Sequence, residues 1–461
     1  MTRQMSNRGR ILFILFLSFL IPASPLRAEP AGDTAGGYNL IFICLDTLRP
    51  DHLGCYGYSR NTSPSIDAIA GQGILFKNAF AQSNFTLTSH ASLFTSKYAH
   101  THKADRIERR LADNETTLAQ VLKTKGYKTA AFVYNALQFD PKFGLDRGFE
   151  TYEYAMDEDR RPSFEVTLPA SLRWIDKHKS GRFFVFLHSN DIHEPYHCPD
   201  ENYFDPGYKG RLDNEYMATW PPGFHTRNLE RTAREIRHIT AHYDAGIRYA
   251  DTYAGKLFDY LKGSGLLDRT ILVFFSDHGE ILGQRNNFFG HGFSLHDDEV
   301  RVPLIIYLPQ AKKQVVEEQT QLIDVMPTVL DLLRINTGDL SLEGKSLVKT
   351  FSPGKTADKE INEYVYAECL SGESEGNGLA DMQAMIRGRA WKLITHTWEL
   401  PANYKNIKNA QMHNGAIISA PFKNGIELYD LKKDPQEKNN LSGRGYDDIE
   451  SRLLSKLLEF F

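Results

Sequence analysis

The chain has 461 residues, 41% hydrophobic and 24% charged, enough apolar material for one large domain and a smaller one beside it. Its formal net charge of −4 argues against a nucleic-acid binder, which would present a strongly basic face. Four cysteines (Cys44, Cys55, Cys198 and Cys369) make no CxxC pair and no zinc-type spacing, which leaves a bridge such as Cys198 to Cys369 open but argues against a zinc module.

Residues 1–28 differ from the rest. Arg3, Arg8 and Arg10 precede the apolar run Ile11 to Ile21, followed by Pro22, Ala23, Ser24 and the small residue Ala28. This pattern predicts a secretory signal peptide cleaved after Ala28, with the mature protein exported to a periplasmic or extracellular space. The run is short of the roughly 20 residues a spanning helix needs, so no stable membrane anchor is expected after processing.

After a Gly-rich leader, Asn39 to Leu45 is a near-continuous apolar run, as expected of a strand buried on both faces. It ends at Asp46-Thr47, which sets a carboxylate at the strand's carboxyl edge, where open α/β sheets bind ligands. Asn84 to Thr95 packs small hydroxyl residues ahead of an apolar helical run. A hydroxyl such as that of Thr86 at a helix N-terminus serves equally as an N-cap and as a nucleophile facing an anionic ester.

Thr117 to Leu122 is predicted helical and Lys128 to Val133 extended; Arg182 to His188 and Thr270 to Ser276 are further strands. Ile236, Ile239, Tyr243, Ile247, Ala250, Ala254, Leu257 and Leu261 recur at three and four residues, the stripe of an amphipathic helix. A strand at Val302 to Leu308 and a helix at Val325 to Leu333 complete an alternating order that implies a doubly wound α/β domain over residues 29–347. Tyr196 to Thr232 is irregular, with the composition of a loop that shapes a substrate site.

From 348 to 461 the pattern changes to short strands, at Tyr364 to Glu368, Gln383 to Ile386, Trp391 to Thr395 and Ile426 to Leu431, with a helix stripe from Ile449 to Leu458. A small antiparallel subdomain with one helix is expected, and Ser371 to Gly378 as a polar loop.

Asp46 after the first strand and Asp277-His278 after a late one, joined by the Thr86 oxygen, compose an O/N set suited to one divalent metal ion: Mn, Zn, Mg or Ca. Such an ion supplies what Thr86 lacks near neutral pH, polarisation of its hydroxyl toward alkoxide. His188 and His193 follow another strand and could donate a proton or orient an ester. His291, between Gly290 and Gly292, is a further candidate, since glycines allow close backbone approach to a ligand.

Several stretches together carry a resemblance. Leu45 to Gly57, Thr86 to Tyr98, His188 to Tyr196, Ser276-Asp277-His278-Gly279-Glu280, Arg301-Val302-Pro303-Leu304, Ile323 to Thr328, Leu342 to Leu347 and Glu427 to Leu431 with Asp434-Pro435 resemble the sulfatase family of the alkaline phosphatase superfamily. The resemblance spans nearly the whole mature chain. It implies an alkaline-phosphatase-like mixed sheet flanked by helices and a small C-terminal antiparallel subdomain. It also implies metal ligation by Asp46, Thr86, Asp277 and His278, catalytic roles for Thr86, His188, His193 and His291, and substrate contacts at Arg49, His90 and Asn135.

The departures from the family pattern bear on the chemistry. The family's Cys-x-Pro-Ser-Arg motif, whose cysteine is oxidised to formylglycine, is here Thr86-Leu87-Thr88-Ser89-His90, and threonine cannot undergo that oxidation. The paired aspartates of the first strand are Asp46 and Thr47, and the lysine expected after His291 is Phe293. What remains resembles a threonine-nucleophile branch. The leading expectation is a metal-dependent hydrolase or phosphotransferase that cleaves phosphoesters through a covalent Thr86 intermediate. The alternatives are a sulfuric ester hydrolase using unmodified Thr86, and an inactive relative that binds anionic glycans or envelope polymers. The expected substrate is a small-molecule, lipid or glycan phosphate or sulfate ester, with no nucleic-acid partner.

Overall fold

The computed structural model describes residues 37–104, 110–156, 162–200, 202–212, 231–285, 288–351, 361–373, 380–396 and 425–461. The predicted signal peptide lies outside the described residues, as do Ser352 to Gly354.

The main sheet has eight strands: β1 (Asn39–Leu45), β2 (Ile74–Phe80), β3 (Lys128–Tyr134), β4 (Thr151–Ala155), β5 (Phe183–Ser189), β6 (Thr270–Phe275), β9 (Arg301–Tyr307) and β10 (Gln314–Gln321). Two short strands, β7 (Ile281–Leu282) and β8 (Phe289–Gly290), pair with each other between β6 and β9 in sequence. The spatial order is β10-β2-β9-β6-β1-β5-β3-β4, and every neighbouring pair is parallel except the two that β9 makes. Alternation along β1 shows why its sequence is apolar throughout. Leu40, Phe42 and Cys44 enter the core on one face, and Ile41, Ile43 and Leu45 enter the other, so both faces need burial.

The Thr86–Thr95 helix packs Leu87, Ala91 and Phe94 into the first of these cores. The Ala233–Gly263 helix covers the opposite face with Ile239, Tyr243, Ile247, Ala250, Ala254, Leu257 and Leu261, the stripe its periodicity predicts. A reciprocal capping box between Thr232 and Glu235 opens it.

Elements the sequence pattern does not announce include the edge strands β4 and β10 and the Ser163–His178 helix. β10 reads Gln-Val-Val-Glu-Glu-Gln-Thr-Gln and is only partly buried, because an edge strand pairs on one side and keeps polar residues on the other. The helix carries Pro169 internally, which disguises its periodicity.

The second sheet is antiparallel, β11 (Val365–Glu373), β12 (Ala380–Arg387), β13 (Trp391–His396) and β14 (Ile426–Asp430), in that order. One face packs on Leu453, Leu454 and Leu457 of the Asp447–Phe460 helix; the other meets Phe80, Leu295 and Val300 of the large unit. Ser371 to Glu373, expected in a loop, continue β11, while residues 374–378 lie outside the described residues. Phe351 packs in the main core, edge-on to Phe76. The four cysteines are unbridged, and Cys369 Sγ lies 3.8 Å from the Gly292 carbonyl rather than against Cys198.

Candidate active site

Three adjacent central strands run parallel and end at one edge of the sheet: β6, β1 and β5. The sequence places a functional group just beyond or at each end, and the topology brings these groups together. Asp46 follows β1, with its backbone N–H donating to the Ser189 carbonyl at 2.9 Å. Asp277 and His278 follow β6. His188 lies in the last turn of residues of β5.

Thr86 enters the same edge from the helix it begins. Phe85 occupies the N-cap position and Thr86 the first helical position, so the threonine hydroxyl is not used as a cap. Thr86 Oγ1 lies instead 3.2 Å from His278 Nε2. His278 Nδ1 donates to the Gly279 carbonyl at 3.0 Å, which keeps the proton on Nδ1 and turns the Nε2 lone pair toward Thr86, Asp46 and Asp277. His278 Nε2 is 3.6 Å from Asp46 Oδ1 and 3.4 Å from Asp277 Oδ2.

The donor set fits a divalent ion. One ligand atom each from Asp46, Asp277 and His278 lies within 4.8 Å of the others, and all three residues are buried. Asp46 Oδ1 and Asp277 Oδ2 are buried oxygens without a hydrogen-bond partner, a costly state unless a cation neutralises them. Burial raises the Asp46 pKa well above the usual range, and the nearby Asp277 and Glu194 carboxylates add to it. For Asp277 burial acts in the same direction, but His278, His90 and His188 outweigh it and hold that carboxyl low. A cation bound between them would favour the ionised form of both carboxylates.

The loop after Asp46 is held in a rare conformation. Thr47 is buried with φ at +63°, in the left-handed region that a β-branched residue seldom enters. Tyr243 from the long helix pins it, its hydroxyl donating to the Thr47 carbonyl and accepting from Arg49 N–H, both at 2.8 Å.

The remaining predicted residues fall in different places. His90 is fully buried beneath the edge. Its Nδ1 donates to the Thr86 carbonyl at 2.8 Å and sits 3.5 Å from Asp277 Oδ2, so it supports these two residues rather than facing a substrate. His188 Nε2 lies 3.5 Å from Asp46 Oδ2, and burial, followed by the neighbouring His90, pushes its pKa well down; it is a neutral prop for Asp46. Both rings rest on Phe139, with centroids 4.7 Å away in each case. The Arg49 guanidinium, expected to grip substrate, is engaged by Asp51 at 2.7 Å, Asp298 at 3.3 Å and the Glu280 carbonyl at 3.0 Å. Asn135, at φ +58°, lies at the end of β3, and its carbonyl accepts from the Asn190 side chain at 3.1 Å.

His193 and His291 form a second group beside the first. Their rings are 4.8 Å apart, and that of His291 is 4.4 Å from that of His278. Glu280 Oε1 accepts from His291 Nδ1 at 3.3 Å. The 290–294 loop that carries His291 is folded around buried Glu299, which accepts from Gly292 N–H at 2.6 Å, Ser294 Oγ at 2.7 Å and Asn84 Nδ2 at 2.9 Å. Burial pushes the Glu299 pKa up to about 7 despite these donors.

Sequence reasoning did not single out Glu194, Glu280, Glu299 or Tyr243 as site residues. Glu194 and Glu280 lie directly beside predicted site residues, and a polar residue next to a ligand in a strand-end loop is the signal that could have found them. Tyr243 had no such signal, since it reads as one more residue of a helical stripe.

A sulfatase family model matches residues 38–335. An ulvan-active sulfatase from Formosa agariphila is 24% identical over 449 residues, covering 92% of this chain and 79% of that one. The structure of a phosphonate monoester hydrolase from Agrobacterium radiobacter superposes with a TM-score of 0.71 at 20% identity, covering 92% of this chain and 95% of that one. A structure in complex with its substrate D-glucosamine-2-N,6-O-disulfate superposes with a TM-score of 0.70 at 20% identity, covering 92% and 97%.

Proposed function

We propose, from the premise that this chain belongs to the sulfatase family and is a sulfatase-like ester hydrolase, that it cleaves phosphate monoesters or diesters through a covalent ester of Thr86. The observation that carries the reading is the Thr86 hydroxyl, at the opening of its helix, 3.2 Å from His278 Nε2 and next to the Asp46, Asp277 and His278 set.

Enzymes of this family bind a divalent metal, and Asp46, Thr86, Asp277 and His278 are the residues that would hold it here. When bound, the ion supplies charge neutralisation at the ester oxygens and a lowered pKa at the Thr86 hydroxyl. The chain's own residues do the rest. Thr86 Oγ, its proton lost to solvent before attack, attacks phosphorus in line as the alkoxide, forming a Thr86 O–P bond as the P–O bond to the leaving alcohol breaks, and it is released as the alkoxide in the second step. His193 or His291, at the open side of the site, gives the departing oxygen its proton. Water then attacks the same phosphorus, the bond to Thr86 breaks, and the water's proton returns to the imidazole. His90 and His188 hold the carboxylates from below.

The choice of phosphate follows from the unmodified hydroxyl. A formylglycine hydrate releases sulfate by elimination from a geminal diol, whereas a threonine sulfate must await attack by water; a threonine phosphate turns over by that route more readily. The sulfatases among the relatives support the second reading, a sulfuric ester hydrolase using unmodified Thr86. The substrate would be a small-molecule, lipid or glycan ester in either case. We further propose export, with residues 1–28 removed, which N-terminal sequencing of the secreted protein checks.

Parallel turnover of aryl phosphate, aryl phosphodiester and aryl sulfate tests the assignment, with mass spectrometry of the Thr86 peptide after quenching. Turnover of the aryl phosphate should leave a phosphoryl adduct of about 80 Da on Thr86, and turnover of the aryl phosphodiester the same adduct still carrying its second ester group, with accurate mass telling phosphorus from sulfur. Sulfate turnover alone would select the second reading, and no turnover with retained glycan binding would select an inactive relative.

A further inference from the structure

Three segments that carry the site converge on one residue outside it. Glu299 lies in the short helix Asp297–Val300, just ahead of β9, and is fully buried. Its Oε2 accepts from Gly292 N–H at 2.6 Å, Phe293 N–H at 3.2 Å and Asn84 Nδ2 at 2.9 Å, and its Oε1 accepts from Ser294 Oγ at 2.7 Å. Its backbone carbonyl accepts from Gly279 N–H at 2.7 Å. Gly292 to Ser294 follow His291, Asn84 stands two residues before Thr86, and Gly279 directly follows His278. One residue thus fastens the segments of Thr86, His278 and His291 to one another.

The loop of His291 needs such fastening. Gly290 and Gly292 flank the histidine at φ +124° and +83°, where the backbone is freest. Glu299 takes the N–H groups of Gly292 and Phe293, while Asn84 Nδ2 donates to the Ser294 carbonyl at 2.7 Å and Gln383 Nε2 of the C-terminal sheet to the Phe293 carbonyl at 2.8 Å. A displacement of about 1 Å in a reacting group can cost about a hundredfold in rate, so a ring on a glycine-flanked loop is useful only if the loop is held. Fold stability does not account for a carboxylate here. Its four side-chain donors are neutral, and burial outweighs them and pushes the pKa up to about 7, so the ionised form is held at a cost to the folded state.

Resting on the ester hydrolysis proposed above, we propose that Glu299 is a positioning residue: it fixes His291 relative to Thr86 and His278, and the hand-over of a proton from His291 to the departing oxygen depends on that placement. Glu299 itself gives and takes no proton. The imidazole proton of His291 passes to the leaving oxygen as the P–O bond breaks, and His193 is left to orient the ester.

A series of aryl esters that differ only in the leaving phenol tests this, in whichever class of phosphate, phosphodiester or sulfate the full-length wild type turns over. Phenol leaves poorly and needs the proton, whereas dinitrophenol leaves without it. Glu299→Gln keeps the size of the side chain but sets an amide NH₂ among the loop's donors. It should lower kcat for the phenyl ester by about a hundredfold and for the dinitrophenyl ester by less than about threefold, with KM for both within about threefold of the wild type. Asn84→Ala, which cuts only the tie to the Thr86 segment, should show the same pattern at about tenfold. Asp324→Asn is the control, a buried carboxylate that also accepts from neutral donors but from none of these segments, and its turnover should show no dependence on the leaving phenol beyond that of the wild type. Circular dichroism confirms that each variant is folded, and if Glu299→Gln is not, Asn84→Ala carries the same test. An equal loss on all esters, or no loss, in the folded variants would overturn the proposal, and with a Thr86 adduct still formed the covalent reading would stand. The leaving-phenol pattern without a Thr86 adduct in the wild type would instead count against the covalent reading and leave this inference standing. A wild type that turns over no ester of any class would overturn both.

Discussion

Two regions of this molecule bury clusters of charge, and they solve the problem differently. Where the C-terminal sheet docks on the large unit, Lys392 is fully buried between Asp297 at 2.8 Å and Glu437 at 2.7 Å, while Arg387 and Arg285 reach the same two carboxylates at 3.3 and 3.4 Å. Nearby, Glu427 receives His296 at 2.9 Å and His396 at 2.5 Å, and although burial pushes its pKa up, these two imidazoles hold it well below the usual range. Every acid there has a basic partner within the protein. At the sheet edge, the basic side chains paired with Asp46 and Asp277 are, among the described residues, all histidines, and each carboxylate keeps an oxygen without a hydrogen-bond partner. The first cluster sets lysine and arginine against its carboxylates and fastens two units together, whereas the second sets only imidazoles against its own. Burial and charge alone would not separate them. The supply of lysine and arginine does.

Substitutions can break this contrast. The largest effect is expected at the edge itself. Under the proposed mechanism Thr86→Ala should lose activity by about a thousandfold or more, since it would remove the attacking oxygen and a metal ligand together, while Thr86→Ser retains a sizeable part. Steady-state turnover measures both. Asp277→Ala should lose both metal uptake and turnover yet remain folded, because it removes a buried carboxylate that already leaves Oδ2 without a hydrogen-bond partner; full metal occupancy in that variant would show that the ligands are misassigned.

In the docking region the expectation is reversed. Lys392→Ala leaves Asp297 and Glu437 without their shared ammonium and should cost about 3–5 kcal/mol by the usual penalty for breaking a buried pair. Denaturant unfolding measures the loss, and turnover per folded molecule should stay near that of the wild type. A strong drop in turnover with unchanged stability would mean that this cluster belongs to the active site.

Asp324 sharpens the comparison, being a buried carboxylate satisfied by neutral donors. It accepts from Lys345 N–H and Gln321 N–H, both at 2.8 Å, and from Asn362 Nδ2 at 2.7 Å. Burial outweighs these donors and pushes its pKa from 3.8 up to about 6. The folded state therefore holds this proton more tightly than the unfolded chain, so its contribution to stability is present below 3.8, declines as pH rises toward about 6, and is flat beyond. Asp324→Asn, neutral throughout, should lack that slope in unfolding curves taken across the window.

The smallest effect is expected at Thr47. Thr47→Gly relaxes the positive φ and should stabilise the chain by up to about 1 kcal/mol, offset in part by the freedom glycine gains when unfolded. Thr47→Asp would add the missing carboxylate beside Asp46, and metal titration should show tighter binding.

Much of this arrangement is legible in the sequence. The apolar run of β1, the long helix stripe, the strand that precedes Asp277 and the four short strands of the C-terminal sheet are local patterns, set by which faces must be covered. The hydroxyl stretch, Asp46 and the Asp277-His278 pair are equally visible, because strand ends and helix starts are written in composition. Edge strands β4 and β10 were not, since half-exposed polar strands carry no such pattern.

The roles of the histidines were decided only by the tertiary structure. His90, His188, His193 and His291 look alike as candidates in the chain, yet two lie buried as props and two stand at the open side. Arg49 likewise reads as an anion-binding residue until Asp51 and Asp298 are seen to occupy it. The physical reason is that a sequence fixes the chemistry each side chain can perform, whereas its protonation, exposure and partners depend on groups far away in the chain, such as Asp277 for His90 or Tyr243 for Thr47, and these meet only when the sheet order is complete.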